Sequence, residues 1–182
     1  DMMIRTIRAI AFYWLFLPVF AGAQTDIVPF PYDIKKEITA DSAVVVTAHP
    51  LATKVGLEIL RQGGNAVDAA IAVHFALAVV YPQAGNIGGG GFMVYRDYLG
   101  NSSCLDFREK APAAAYEKMY QDSAGRVQAK KSQFGPLAAG VPGAVDGMWE
   151  AHKKFGKLKW GALVTPAVEL ATKGYQITEA EA

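Results

Sequence analysis

Apolar positions along the chain follow several distinct periods, each of which predicts a different element. Ala43-Val44-Val45-Val46-Thr47-Ala48 is a short β-branched run stopped by Pro50, the pattern of a strand buried on both faces. Leu51 to Gln62 repeats at helical spacing, with apolar residues at 51, 55 and 59 and again at 57 and 60, and Gly63-Gly64 supplies the stop. Asn65 then caps a second helix, Ala66 to about Val80, with Asp68 placed to favour the positive helix N-terminus. That helix, AVDAAIAVHFALAVV, is apolar almost all round, so it belongs inside a layered protein with its alanines permitting close approach.

Past Pro82 the period changes. Four glycines, Gly88 to Gly91, provide conformations that side chains would obstruct and room for another backbone or a ligand. Phe92 to Tyr95 and Ser103 to Arg108 read as two strands joined around Gly100-Asn101. Alternation puts Cys104, Asp106 and Arg108 on one face, as a polar site, and Leu105 and Phe107 on the other, as core. The polar segment Tyr116 to Gln133 holds a surface turn at Asp122-Ser123-Ala124-Gly125. Gly140-Val141-Pro142-Gly143 is a tight turn that opens a helix from Ala144 to about Phe155, with Val145, Met148, Trp149 and His152 on its apolar side. Leu158 to Val164 forms a short helix, Thr165-Pro166 caps another that Gly174 closes, and Thr178 with Glu179 and Glu181 begins one more, inside which the chain stops.

The first residues read as an export signal. Arg5 and Arg8 are the basic start, Ala9 to Phe20 the apolar run and Ala21-Gly22-Ala23 the cleavage site, leaving Gln24 first in the mature chain. A membrane anchor is the alternative, but a span needs about 20 apolar residues, and this run is shorter and contains Pro18. The expected organisation is a signal at 1–23, an extended lead-in at 24–41 with Pro29 and Pro31, and a folded part from 42 to 182.

Composition changes this picture little. At 52% hydrophobic and 19% charged the chain is globular, and a net charge of +1 points to no nucleic-acid partner. Removing residues 1–23 takes away Arg5, Arg8 and Asp1 and leaves acidic and basic residues in equal number. The one cysteine, Cys104, forms no internal disulfide; it reads as a buried thiol rather than a nucleophile, with no histidine near it in sequence. His74 reads as a core histidine bonded to a backbone group and His152 as a rim residue, since neither has a second ligand at metal spacing.

The glycine run matches neither nucleotide motif. It follows a helix and precedes a strand, the reverse of the dinucleotide fingerprint, and no Gly-Lys-Ser/Thr accompanies it. Arg108 is the candidate for chemistry. A guanidinium fork takes a carboxylate through two parallel hydrogen bonds, whereas the competing reading is a structural ion pair with Asp106 or Glu109.

Four blocks carry a resemblance: EILRQGGNAVDAAIA (58–72), YPQAGNIGGGGFMV (81–94), DFREKAP (106–112) and GVPGAVDG (140–147). Together, and in order, they resemble the N-terminal part of the large subunit of the γ-glutamyltranspeptidase family, from about Ser42 onward. The resemblance implies an α+β fold, the N-terminal-nucleophile hydrolase αββα sandwich, of which this chain holds an incomplete part. It implies a precursor that cuts itself and a threonine, first in the small subunit and outside these residues, that attacks the γ-glutamyl amide; Thr165 and Thr178, both internal, are not that nucleophile. It implies that Arg108 binds the donor's α-carboxylate, with no catalytic residue in this chain and no metal or organic cofactor. The implied partners are glutathione or another γ-glutamyl donor and the chain's own small subunit, with no stable membrane span and a periplasmic or secreted location. A cephalosporin-type acylase, a poly-γ-glutamate-processing enzyme and a noncatalytic carboxylate-binding module share these blocks as alternatives.

Overall fold

The computed structural model describes residues 37–177 and Glu181. Residues 37–175 belong to one compact unit that holds all the helices and strands described below; Gln176, Ile177 and Glu181 are the other described residues and lie outside it. The export signal, most of the lead-in and the start of a helix at Thr178 lie outside the described residues.

Two capped helices come first. Helix α1, Pro50–Arg61, starts at His49, whose Nδ1 accepts from the Leu51 amide, and ends where Gly64 N–H donates to Ile59 O and Gly63 N–H to Leu60 O. This double bond needs a left-handed residue after the cap, and Gly63 supplies it at φ 87°. Helix α2, Ala66–Val80, opens on a capping box: Asn65 Oδ1 accepts from Asp68 N–H while Asp68 Oδ2 accepts from Asn65 N–H, each at 3.0 Å. Its all-round apolar surface lies against α1 on one side and against α4, Trp160–Lys173, on another.

Strand β1, Phe92–Arg96, pairs antiparallel with β2, Ser102–Asp106, in the register Phe92↔Asp106 and Val94↔Cys104. Gly100 turns the hairpin, and Asp97 braces it by accepting from the Leu99 and Asn101 amides and from Asn101 Nδ2. These bonds, led by that of the Asn101 side chain, hold the Asp97 carboxyl below its ordinary range. The segment after the hairpin folds back at Asp122, which takes the Ala124 and Arg126 amides, as the turn chemistry predicts. Helix α3, Ala144–Phe155, follows. The core joins Ile59, Ile71, Ala72, Met148, Ala151 and Leu163, with Met93, Tyr95 and Leu105 of the hairpin half-buried against it.

Several expectations need correction. Residues 43–47 carry no regular secondary structure and are no strand, because no ladder partner lies beside them among the described residues; Val45 and Thr47 are half-buried while Val46 is 82% exposed. Strand β2 stops at Asp106, so Arg108 lies two residues past its end. Cys104 is exposed rather than buried: the alternation holds, but its face has no second layer among the described residues. That face is also less polar than expected, since it presents Phe92 and Val94 as well.

On α3 the buried face is Ala144, Gly147, Met148 and Ala151, while Val145 and Trp149 are exposed. Small residues win that face because it is the one brought closest to its neighbours. Thr165-Pro166 starts no helix: α4 runs unbroken from Trp160, with Pro166 inside it. A proline there costs about 3 kcal/mol. Leu163 and Ala167, buried on either side of it, keep the helix seated, and Thr165 Oγ donates to Gly161 O.

Candidate carboxylate-binding site at the hairpin end

Three of the four sequence blocks meet where the hairpin ladder runs out. Phe107 N–H donates to Gly91 O at 3.0 Å, which carries the pairing one step beyond β2. Lys110 and Val141 then exchange both backbone bonds, at 3.1 and 2.8 Å. Gly89 O accepts from the amides of Gly143 and Ala144, both at 2.9 Å, so a carbonyl occupies the positive N-terminus of α3, which has no side-chain cap. Arg108 is therefore fixed by backbone contacts on both sides.

The glycines act here through close approach rather than through unusual dihedrals. None of Gly88 to Gly91 has a positive φ. A Cβ on Gly88 would meet open space and one on Gly89 only the Asn86 side chain, whereas one on Gly90 would lie 2.8 Å from Arg108 Cα and 2.7 Å from Glu109 N. Phe107 sits between Gly91 and Gly147, its ring where a side chain at either would have to stand. Gly90→Val is thus expected to push residues 107–109 away and to destabilise the fold by about 1–3 kcal/mol. Denaturant midpoints of the full-length protein check this, with Gly88→Ala as a near-neutral control.

Arg108 itself is exposed. Its Nε lies 3.2 Å from Glu109 Oε2, and its Cζ lies 5.9 Å from the centre of the Phe92 ring. Of the two ion-pair partners the sequence allows, the structure uses Glu109; Asp106 Oδ1 instead accepts from the Arg108 amide at 3.0 Å. A pair this open to water is worth about 0–1 kcal/mol and does not consume the fork. The arrangement offers an incoming carboxylate the guanidinium's terminal nitrogens.

The other candidates fall away from this place. His74 Nε2 lies 3.1 Å from Asn86 O, a backbone bond as expected, though the ring is half-buried rather than in the core. His152 Nε2 donates to Leu158 O and its ring lies against Trp149 and Trp160. Among the described residues no group of His, Cys, Asp and Glu is placed to hold a metal ion, and no helix is long and apolar enough to cross a membrane. Phe92 was not singled out by sequence reasoning, because the face it shares with Arg108 depends on the hairpin register.

The family model described as gamma-glutamyltranspeptidase matches residues 52–182, well over half of the chain. The chain belongs to the γ-glutamyltranspeptidase family. A glutathione hydrolase proenzyme of Pseudomonas aeruginosa is 53% identical over 142 residues, 78% of this chain and 25% of the relative. That of Escherichia coli is 43% identical over 164 residues, 88% of this chain and 28% of the relative. The chain thus spans about a quarter of the length of these curated relatives. Among solved structures, Helicobacter pylori γ-glutamyltranspeptidase is 50% identical with a TM-score of 0.73, over 76% of this chain and 40% of that one. The α+β arrangement of helices and hairpin is accordingly that of part of a γ-glutamyltranspeptidase. A cephalosporin acylase from Bacillus halodurans is more distant, at 30% identity and a TM-score of 0.61.

Proposed function

We propose that this chain is the N-terminal part of the large subunit of a γ-glutamyltransferase/glutathione hydrolase, in which Arg108 takes the α-carboxylate of the donor's glutamyl group. The observation that carries the reading is the convergence of the glycine run, residues 106–110 and residues 140–144 on one exposed arginine. The higher identity to γ-glutamyltranspeptidases than to the acylase favours the transpeptidase reading within the family.

In the whole enzyme a threonine at the start of the small subunit attacks the γ-glutamyl amide, its own amine taking the hydroxyl proton and giving it to the departing amine, and water or an amino-acid acceptor then takes the γ-glutamyl group from the ester and frees the hydroxyl. Held by its α-carboxylate, the donor has its γ-carbonyl fixed in direction, which is how a remote contact aids the reacting bond. The exposed apolar residues Val44, Val46, Phe92 and Val94 fit a role as the floor on which the small subunit is laid. Residues 1–182 by themselves have no transfer activity in this reading, and the mature enzyme acts in the periplasm or outside the cell without a metal or organic cofactor.

The precursor's own chemistry is the test. Purified full-length protein should cut itself once, the smaller product should read Thr at its first residue, and a γ-glutamyl donor should then be consumed. An uncut precursor, or a cut one that leaves the donor intact, overturns the proposal.

A further inference from the structure

We infer that Phe92 is a positioning residue for Arg108, its ring drawing the guanidinium over itself while Glu109 pairs with Nε. The inference rests on the proposed role of Arg108 and adds to it the device that aims the side chain.

The register places the parts. Phe92 stands opposite Asp106, so the position opposite Arg108, two residues further along the ladder, belongs to Gly90. Gly90 has no side chain, and a Cβ there would already be 2.8 Å from Arg108 Cα. With the direct partner position empty, the first side chain on that face of the facing strand is the diagonal one, Phe92, within reach of a long residue. The guanidinium carbon lies 5.9 Å from the ring centre, inside the range of a cation over an aromatic face.

Two contacts then act on one group in different directions. Glu109 Oε2 pairs with Nε at 3.2 Å, from the same stretch of chain past β2. The Phe92 ring attracts the cation from the facing strand, a direction that Glu109, attached to the neighbouring residue, does not supply. Neither contact uses the pair of terminal nitrogens that a carboxylate engages end-on. The ring is 60% exposed in this chain, so its value rises when donor and small subunit exclude water from it.

The test compares matured full-length enzymes carrying Phe92→Leu, Phe92→Tyr, Arg108→Ala and the double change Phe92→Leu/Arg108→Ala, assayed for kcat and donor KM with a γ-glutamyl anilide. Phe92→Leu is expected to raise donor KM about three- to tenfold with kcat little changed, and Phe92→Tyr to restore it. On the Arg108→Ala background, Phe92→Leu should add nothing further. Replacing Phe92 with pentafluorophenylalanine keeps the shape and reverses the ring's charge distribution, so it should also raise KM; this arm decides the matter if the leucine variant fails to mature. If Arg108→Ala raises KM while the fluorinated ring leaves it unchanged, the role of Phe92 is overturned and that of Arg108 stands. If Arg108→Ala itself leaves KM unchanged, both fall.

Discussion

Asp68→Ala is expected to destabilise the full-length protein by about 3–5 kcal/mol, enough to abolish maturation in a marginally stable precursor. The Asp68 carboxylate is fully buried and accepts the amides of Asn65 at 3.0 Å, Lys157 at 3.0 and 3.1 Å, and Leu158 at 3.2 Å. Alanine leaves all three donors without an acceptor, and the cost is theirs rather than that of the missing charge. Asp68→Asn keeps the shape but turns one acceptor into a donor facing other donors, so an intermediate loss is expected. Denaturant midpoints order the three proteins. Equal stability of the alanine variant and the parent would mean that water replaces the carboxylate freely.

Arg108→Ala is expected to lower kcat/KM for a γ-glutamyl donor by roughly 30- to 1,000-fold, about 2–4 kcal/mol, chiefly through KM. The guanidinium contributes little to the fold, since its ion pair with Glu109 is exposed, so the variant should mature normally. Arg108→Lys keeps the charge and loses the fork, and it should recover only part of the deficit. A donor esterified at its α-carboxylate should not distinguish the three enzymes, which separates loss of the carboxylate contact from general damage. Unchanged donor kinetics in Arg108→Ala would remove the arginine from the site.

Local signals in the sequence translated directly into structure. The Gly63-Gly64 stop, the Asn65 cap and the Gly100 turn each depend on a few neighbouring residues, and each stands where the spacing put it. What needed a distant partner was not legible. The run at 43–48 has the composition of a strand, but a strand exists only with a ladder beside it, and none is present among the described residues. Pro166 has the spelling of a helix start, yet it is carried inside α4 by the burial of Leu163 and Ala167.

The candidate site divides in the same way. The resemblance makes Arg108 the candidate, and alternation gives it the face of Cys104 and Asp106. Its ion-pair partner was not legible, because Asp106 and Glu109 are equally near in sequence and only the turn of the chain past β2 gives Nε to Glu109. The glycines were assigned room for a neighbour without its name. That neighbour is residues 107–109, and for Gly91 and Gly147 it is the Phe107 ring.

The Asp68 cluster also sets an order on how the chain becomes structured. Of the amides that fill its oxygens, that of Asn65 is local, whereas those of Lys157 and Leu158 are 89 and 90 positions away. A polypeptide growing or crossing a pore from its N-terminus shows helix α2 to its surroundings long before residue 157 arrives. Until then the carboxylate stays in water, where it resists burial and keeps this nearly all-apolar helix from settling against the wrong surface. A residue that locks the finished fold therefore also delays commitment to it.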